Sequence, residues 1–272
     1  MRIGPDAARY LLAGRGVRVA KPFHLRWLFP YLCEDDVRKW RVLWLCSWPL
    51  LAGLMFTYSW LHDVGVYRSL AAAVVLLALP GVLGPSVVRP VGVDLPAMVL
   101  GLGAVVAAQV DWLPLAVVLI CLAGLGKESM PVWAALWLWN PVLLVGLIPV
   151  GLRAWRVKPQ IDEVTARADL RFVHDHPIRS ALKAHAGQWR DGWVMVAPWG
   201  IGVLSLVDFS LPVVVCIVVA YMQLSVATDT VRLLHTAAGV PVALAAVQVI
   251  PEQWLLLAVV GHVVWWRRPV LI

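Results

Sequence analysis

Charge is scarce in this chain. Only 14% of its 272 residues are Asp, Glu, Lys or Arg, whereas 61% are hydrophobic. A typical soluble domain has about 25% charged and about 45–50% apolar residues. There is too little polar surface to cover a soluble domain of this size, so the composition predicts an integral membrane protein. The 16 Trp residues agree with this class, because their amphipathic rings favour the headgroup level of a bilayer.

Cysteines and the motifs of soluble enzymes are also scarce. The four cysteines have no CxxC spacing, so a disulfide framework is not expected. The chain has no Walker loop, no nucleotide-binding GxGxxG segment after a strand and no HExxH motif, so no cofactor is predicted. A divalent metal at His174-Asp-His176 is an alternative, but two histidines without a further ligand cluster are a weak metal signal.

The net charge is +7, and most of the basic residues lie in two blocks. Residues 1–41 contain nine Lys and Arg residues, and residues 153–191 contain eight. A basic soluble protein could bind nucleic acid, but no nucleic-acid-binding motif accompanies the charge, so nucleic acid is not expected as a partner. The blocks instead predict contact with the anionic headgroups of membrane lipids.

About nine apolar segments account for most of the remaining chain. They cover residues 42–60, 69–88, 95–110, 112–125, 130–152, 192–207, 210–226, 237–250 and 253–266. Several are shorter than the ~20 residues of a comfortable span and contain Gly or Pro, which favours tilted or broken helices. The predicted fold is all-α: a polytopic transmembrane bundle of seven to nine spans with interfacial amphipathic helices.

Four parts are predicted along the chain. Residues 1–41 form a basic amphipathic segment on the membrane surface, and residues 42–152 form a first transmembrane bundle. Residues 153–191 form a polar basic loop, and residues 192–272 form a second bundle. The positive-inside rule would keep both basic blocks in the cytoplasm, yet five spans between them place the blocks on opposite sides. The side of the membrane that residues 1–41 occupy therefore stays open.

The first candidate site lies in the basic N-terminal block. Asp6 shares a short amphipathic segment with Arg9 and Tyr10, and His24 and Arg26 follow. A carboxylate beside several cations could act as a general base next to a phosphate-bearing substrate. The alternative is a solvated surface face with no chemistry.

Two further candidate sites lie where apolar segments are interrupted. Lys127 and Glu128 form a polar elbow between the segments 112–125 and 130–152, and charges at such positions usually face a cavity, a partner or the interface. The spacing of Asp229 and Arg232 places both side chains on one helix face. The alternatives are a salt-bridged elbow and a structural ion pair.

These three segments together resemble the bacterial polytopic glycosyltransferases of the C-type (GT-C) superfamily. Residues 5–14, with Asp6 and Tyr10 in a D-x-x-x-Y pattern, and residues 22–30 resemble the first extracytoplasmic loop of these enzymes. Gly126-Lys-Glu-Ser129 resembles their polar elbow, and Asp229-Thr-Val-Arg232 resembles a late D-x-x-R segment. The family has a span before that first loop, for which residues 1–41 contain no continuous apolar run.

The resemblance implies an enzyme of the cell membrane that takes a sugar from a polyprenyl-phosphate carrier at the outer membrane face. Asp6 would be its catalytic carboxylate. The candidates for binding the carrier phosphate or the substrate are Arg9, Tyr10, His24, Arg26, Lys127, Glu128, Asp229 and Arg232. Arginine and lysine pair well with phosphate, which fits these roles.

Two other functions remain open on the sequence. A transporter or channel would use the interrupted helices as a substrate path. It would bring together four carboxylates at mid-membrane depth: Asp111, Glu128, Asp208 and Asp229. A membrane scaffold without chemistry would use its basic blocks only to bind lipid headgroups or partners.

Overall fold

A computed structural model describes residues 5–19, 22–82, 91–158, 196–208, 210–223 and 230–265 of the chain. Every regular element in these residues is a helix, so the all-α prediction is confirmed. In chain order the α-helices are α1 (Pro5–Gly14), α2 (Leu28–Cys33), α3 (Val37–Trp60), α4 (Val66–Ala78), α5 (Asp94–Gln109), α6 (Leu113–Gly126), α7 (Met130–Leu138), α8 (Leu147–Arg156), α9 (Ser205–Asp208), α10 (Leu211–Gln223), α11 (Thr230–Val249) and α12 (Glu252–Trp265). Two 3-10 helices cover Pro141–Gly146 and Ala197–Leu204.

The described helices pack into two units. The first unit is formed within residues 1–51 and 85–170, and the second within residues 52–84 and 171–272. The four-part division at residues 41, 152 and 191 stays a prediction.

The first unit is built on a hairpin of α5 and α6. Residues 110–112 connect the two helices, and Asp111 adopts a left-handed backbone conformation there (φ 58°). Such a short connection makes the helices antiparallel neighbours. The beginning of α5 and the end of α6 therefore lie at the same, open end of the hairpin. The candidate site is found at this end.

The apolar run 130–152 is not a single helix. Helix α7 ends at Leu138, and Trp139 follows in the left-handed conformation (φ 55°). The side chain of Asn140 then accepts a hydrogen bond from the backbone N–H of Val142 and caps the 3-10 helix Pro141–Gly146. Pro141 lacks a backbone N–H and disfavours helical backbone at the preceding residue. The break leaves α8 as a separate, strongly amphipathic helix.

The second unit is built around α11. This helix packs against α4, α10 and the 3-10 helix Ala197–Leu204, and α12 also packs against α4. Two buried histidines tie its elements together through the backbone. His235 accepts a hydrogen bond from the N–H of Gly81, and Nε2 of His262 lies 3.1 Å from the carbonyl oxygen of Val75. These contacts account for both side chains as packing residues.

Two of the described helices are long and apolar enough to cross a membrane: Val37–Trp60 and Arg232–Val249. Only 28% of the apolar window of the first is buried, compared with 83% for the second. Five further apolar helices in the described part of the chain have only 10–17 residues. The predicted seven to nine spans are therefore not confirmed, whereas membrane association agrees with the helices that are present.

Candidate functional site

Helix α1 is held in place by an aromatic contact on its buried face. Tyr10 is buried and packs edge-on against Phe23, with 5.2 Å between the ring centroids. It also lies 6.0 Å from the ring of Trp40. The guanidinium groups of Arg9 and Arg26 lie 4.9 and 5.3 Å from the centroid of Phe23. Cation–π contacts thus place two arginines of the N-terminal block on one ring.

Arg26 forms the central ion pair of the site. Its Nε and Nη2 atoms donate to the two carboxylate oxygens of Glu128 at 2.7 and 2.8 Å, and its Nη1 donates to the hydroxyl oxygen of Tyr10 at 2.7 Å. The two charged side chains are only 12% and 24% exposed. A bidentate pair of this kind has the strongest geometry available to arginine and carboxylate.

The electrostatics of this pair keep Glu128 charged. Burial alone would raise the pKa of Glu128, because it penalises the carboxylate. The charge and hydrogen bonds of Arg26 outweigh burial, so the pKa of Glu128 lies below its usual value of 4.5. Glu128 therefore acts as an anion at neutral pH.

A second ion pair closes the open end of the α5–α6 hairpin. The ammonium group of Lys127, at the end of α6, bonds the carboxylate of Asp94 in the first turn of α5. Lys127 is only 2% exposed, and the helix dipole of α5 favours a carboxylate at Asp94. Asp94 did not appear among the sequence candidates. The one signal for it was an acidic residue directly before the apolar run 95–110.

Two further hydrogen bonds attach the N-terminal segment to this end of the hairpin. The backbone N–H of Trp27 donates to the carbonyl of Leu125 at 2.9 Å. Nε of Arg153, from α8, donates to the carbonyl of His24 at 2.8 Å. The predicted first-loop segment is thus fixed against the predicted elbow by both side-chain and backbone contacts.

A cavity of about 250 Å³ lies beside these contacts. Its lining includes the basic side chains of Arg18, His24, Arg26, Arg153 and Lys158. None of the described residues that line it is acidic. The cavity is therefore suited to an anion.

The structure brings together seven of the nine sequence-predicted site residues in the first unit. Arg26 donates hydrogen bonds to both Tyr10 and Glu128, and Arg9 joins them through Phe23. Asp6 pairs with Arg9 at 3.6 Å, Lys127 pairs with Asp94, and His24 contributes its carbonyl to Arg153.

The structure describes the D-x-x-R segment without its aspartate. Arg232 lies in α11 of the second unit, where its carbonyl accepts a hydrogen bond from Thr236. Asp229 and the His174-Asp-His176 segment lie outside the described residues. Among the described residues, no group of three His, Cys, Asp or Glu side chains is placed to hold a metal ion.

Two of the four carboxylates proposed for a transport path lie in the first unit. Asp111 is exposed in the turn before α6, whereas Glu128 follows the other end of that helix. The 14 residues of α6 separate them by about 21 Å along the helix axis. Asp208 lies in the second unit, and Asp229 is outside the described residues. Asp111 and Glu128 therefore lie at opposite ends of one helix, and a transport function stays a hypothesis.

Comparison with known proteins does not assign the chain to a family: no family model, curated protein or solved structure matches it.

Proposed function

We propose that the chain is a multi-pass protein of the cell membrane that takes a sugar from a polyprenyl-phosphate carrier, as GT-C enzymes do. The observation that carries this proposal is the bidentate bond between Arg26 and Glu128, which are 102 positions apart. It joins the two segments on which the resemblance to the N-terminal loop and the polar elbow of that superfamily rests. Sequence resemblance and spatial proximity thus select the same residues.

The surface of α3 supports the membrane part of the proposal. Apolar side chains on this helix remain exposed, including Val42, Leu45 and Leu50. Its 24 residues correspond to about 36 Å, enough to cross a hydrocarbon core of about 30 Å. In a bilayer these side chains would contact acyl chains, so the unfavourable free energy of exposing them to water would not arise. The shorter apolar helices would cross as tilted or broken segments packed in pairs.

Asp6 and Arg26 have different roles in this proposal. Asp6 lies at the start of α1, and its side chain is 35% exposed, so an acceptor hydroxyl could reach its carboxylate, which also pairs with Arg9 at 3.6 Å. Arg26 is oriented by Glu128 and Tyr10 before the substrate arrives. Two oxygens of a phosphate can accept the same pair of hydrogen bonds from a guanidinium as a carboxylate does. The carrier phosphate would therefore replace Glu128 as the partner of Arg26.

The test is a transfer assay with the full chain in lipid nanodiscs and a radiolabelled polyprenyl-phosphate sugar. Asp6→Asn should slow transfer by about 10²–10⁴-fold, the usual contribution of a general base, while the carrier still binds. Arg26→Lys should weaken carrier binding. Asp35→Asn, which removes the carboxylate of the exposed Arg15–Asp35 pair, is the matched control and should leave both unchanged.

Two outcomes would contradict the proposal. Equal binding of the carrier and of the corresponding polyprenol without phosphate would show that the protein has no phosphate site. Binding of the carrier without any transfer to alcohols or water would reduce the protein to a non-catalytic relative.

A further inference from the structure

The basic cavity of the first unit has a composition that the sugar-transfer proposal does not explain. It carries four Lys or Arg side chains, namely Arg18, Arg26, Arg153 and Lys158. Within the described part of the chain, Arg26 is the one among them that pairs with a carboxylate. Arg153 is half-buried, and burial lowers its pKa with no carboxylate offsetting the effect. Such a cavity is destabilising when it is empty, because its like charges repel one another and are partly desolvated. An anion that enters the cavity offsets both effects.

The rim of the cavity is aromatic. Trp27 and Tyr31 stack with 4.6 Å between their ring centroids, and both side chains are exposed. The guanidinium of Arg153 lies 5.8 Å from the centroid of Trp27. Exposed Trp and Tyr beside Arg are typical of the headgroup level of a bilayer, where the rings remain partly apolar and partly wet.

Helix α8, which contributes Arg153 to the cavity, carries an apolar stripe on its opposite, exposed face. Ile148, Leu152 and Trp155 follow one another at helical spacing and are all exposed, Trp155 by 80%. Arg153 and Arg156 lie in the last turn of the same helix. A helix with a strong apolar stripe and basic residues beside it lies in the membrane interface, with the stripe about 5–10 Å into the headgroup and acyl boundary.

We infer that this cavity binds the headgroup of an anionic phospholipid, with the Trp27–Tyr31 rim against its acyl chains and the apolar stripe of α8 holding that helix in the membrane interface. Arg18, Arg153 and Lys158 recognise the phosphate, while Arg26 stays paired with Glu128, and the adjacent aromatic rim accounts for a lipid in preference to a soluble anion. A volume of about 250 Å³ holds a headgroup and is below the ~300–1,000 Å³ of pockets that enclose drug-sized ligands. The inference does not depend on sugar transfer.

The experiment is a titration of the purified full chain in neutral detergent with phosphatidylglycerol, followed by native mass spectrometry. Phosphatidylcholine, glycerol phosphate and a polyprenyl phosphate are the comparison ligands. We expect saturable binding of one phosphatidylglycerol and at least about tenfold weaker binding of phosphatidylcholine and glycerol phosphate.

Two double variants distinguish the effect of charges that line the cavity from the effect of net charge. Arg18→Gln with Lys158→Gln removes two exposed charges from the lining and should weaken binding about 25-fold, at about fivefold per basic residue. Arg38→Gln with Arg41→Gln removes two exposed charges that do not line the cavity and should change binding less than about twofold. Arg153→Gln should weaken binding, and Arg153→Lys should restore part of it.

Three results would overturn the inference. Equal losses in the two double variants would show that net charge, and not the cavity, attracts the lipid. Equal affinity for glycerol phosphate would assign the cavity to a soluble anion. Displacement of phosphatidylglycerol by an equal amount of polyprenyl phosphate would assign it to the sugar carrier, even if transfer itself is never detected.

Discussion

Lys127 and Glu128 are adjacent in sequence but form their ion pairs with residues far apart. Lys127 ends α6 with an extended backbone (φ −149°, ψ 115°). Consecutive side chains on extended backbone point to opposite sides. One side chain therefore reaches the start of α5 at Asp94, and the other reaches Arg26 of the N-terminal segment. Two residues connect three parts of the first unit in this way.

Removing one partner of the Arg26–Glu128 pair should cost more stability than removing both. Glu128→Gln leaves a guanidinium that is 12% exposed without its carboxylate, and we expect a loss of about 2–3 kcal/mol in the free energy of unfolding. This is below the ~3–5 kcal/mol of a fully buried pair because Glu128 is 24% exposed. The combined Arg26→Met, Glu128→Leu change should cost less. Unfolding in mild detergent measures both.

Asp35→Asn is the matched control for that comparison. It removes the carboxylate of the solvent-exposed Arg15–Asp35 pair, and pairs of this kind contribute about 0–1 kcal/mol. A Glu128→Gln loss no larger than that of Asp35→Asn would show that the Arg26–Glu128 contact has no structural role.

The same pair makes stability dependent on pH in the acid range. The pKa of Glu128 is lowered in the folded chain, so its contribution is fully present above the ordinary value of 4.5 and is lost as pH falls through the lower, folded value. We expect the difference in unfolding temperature between wild type and Glu128→Gln to be constant near neutral pH and to shrink below pH 4.5. A difference that stays the same down to the acid-unfolding limit would exclude this carboxylate as the titrating group.

At the scale of the elements, hydropathy predicted where helices occur but not where they break. The predicted segments 95–110 and 112–125 differ by only a residue or so from α5 and α6. The run 130–152 divides because Asn140 and Pro141 stop the helix, a local effect that mean apolarity does not register. The ion-pair partners could not be predicted from hydropathy either, because Asp94 meets Lys127 only when α5 and α6 pack as a hairpin. Glu128 and Arg26 were each identified as candidates, but nothing in their spacing paired them.

Glycine at position 124 is required by the packing of α6 on the 3-10 helix Pro141–Gly146. A Cβ atom at Gly124 would collide with the carbonyl oxygen of Gly146, which is backbone and cannot rotate away. We expect Gly124→Ala to destabilise the chain by about 1–3 kcal/mol, the range of an overpacked core. Thermal unfolding in detergent provides the measurement.

Gly151→Ala is the control for this substitution. Gly151 lies inside α8, and a Cβ atom there would meet nothing within 4 Å. Alanine has about 1 kcal/mol better helix propensity than glycine, so Gly151→Ala should be neutral or slightly stabilising. If both substitutions have the same effect, helix propensity and not the contact with Gly146 would determine the result at Gly124.

For the molecule as a whole, the exposed apolar surface is the feature that agrees best with membrane association. The second candidate span, Arg232–Val249, is mostly covered by neighbouring helices and would pass the same test in a soluble core. Helix α3 is different, because most of its surface is apolar and uncovered. The orientation of α3 is therefore the decisive test of membrane insertion.

Single cysteines at the two ends of α3 should be labelled from opposite sides of the membrane. Arg38 lies in its first turn and Asp63 lies three residues beyond its end, and both side chains are exposed. In a cysteine-free background, each of Arg38→Cys and Asp63→Cys falls into one of two classes. It reacts with a membrane-impermeant maleimide either in intact cells or only after lysis, depending on its side of the membrane.

Because the helix is about 36 Å long, a transmembrane α3 places one cysteine in each class. Labelling of both cysteines from the same side would place α3 along the surface, and the multi-pass architecture would fail with it. The class that contains Arg38→Cys also identifies the side on which the N-terminal segment, Arg26 and the basic cavity lie. Sugar transfer at the outer face requires that side to be external.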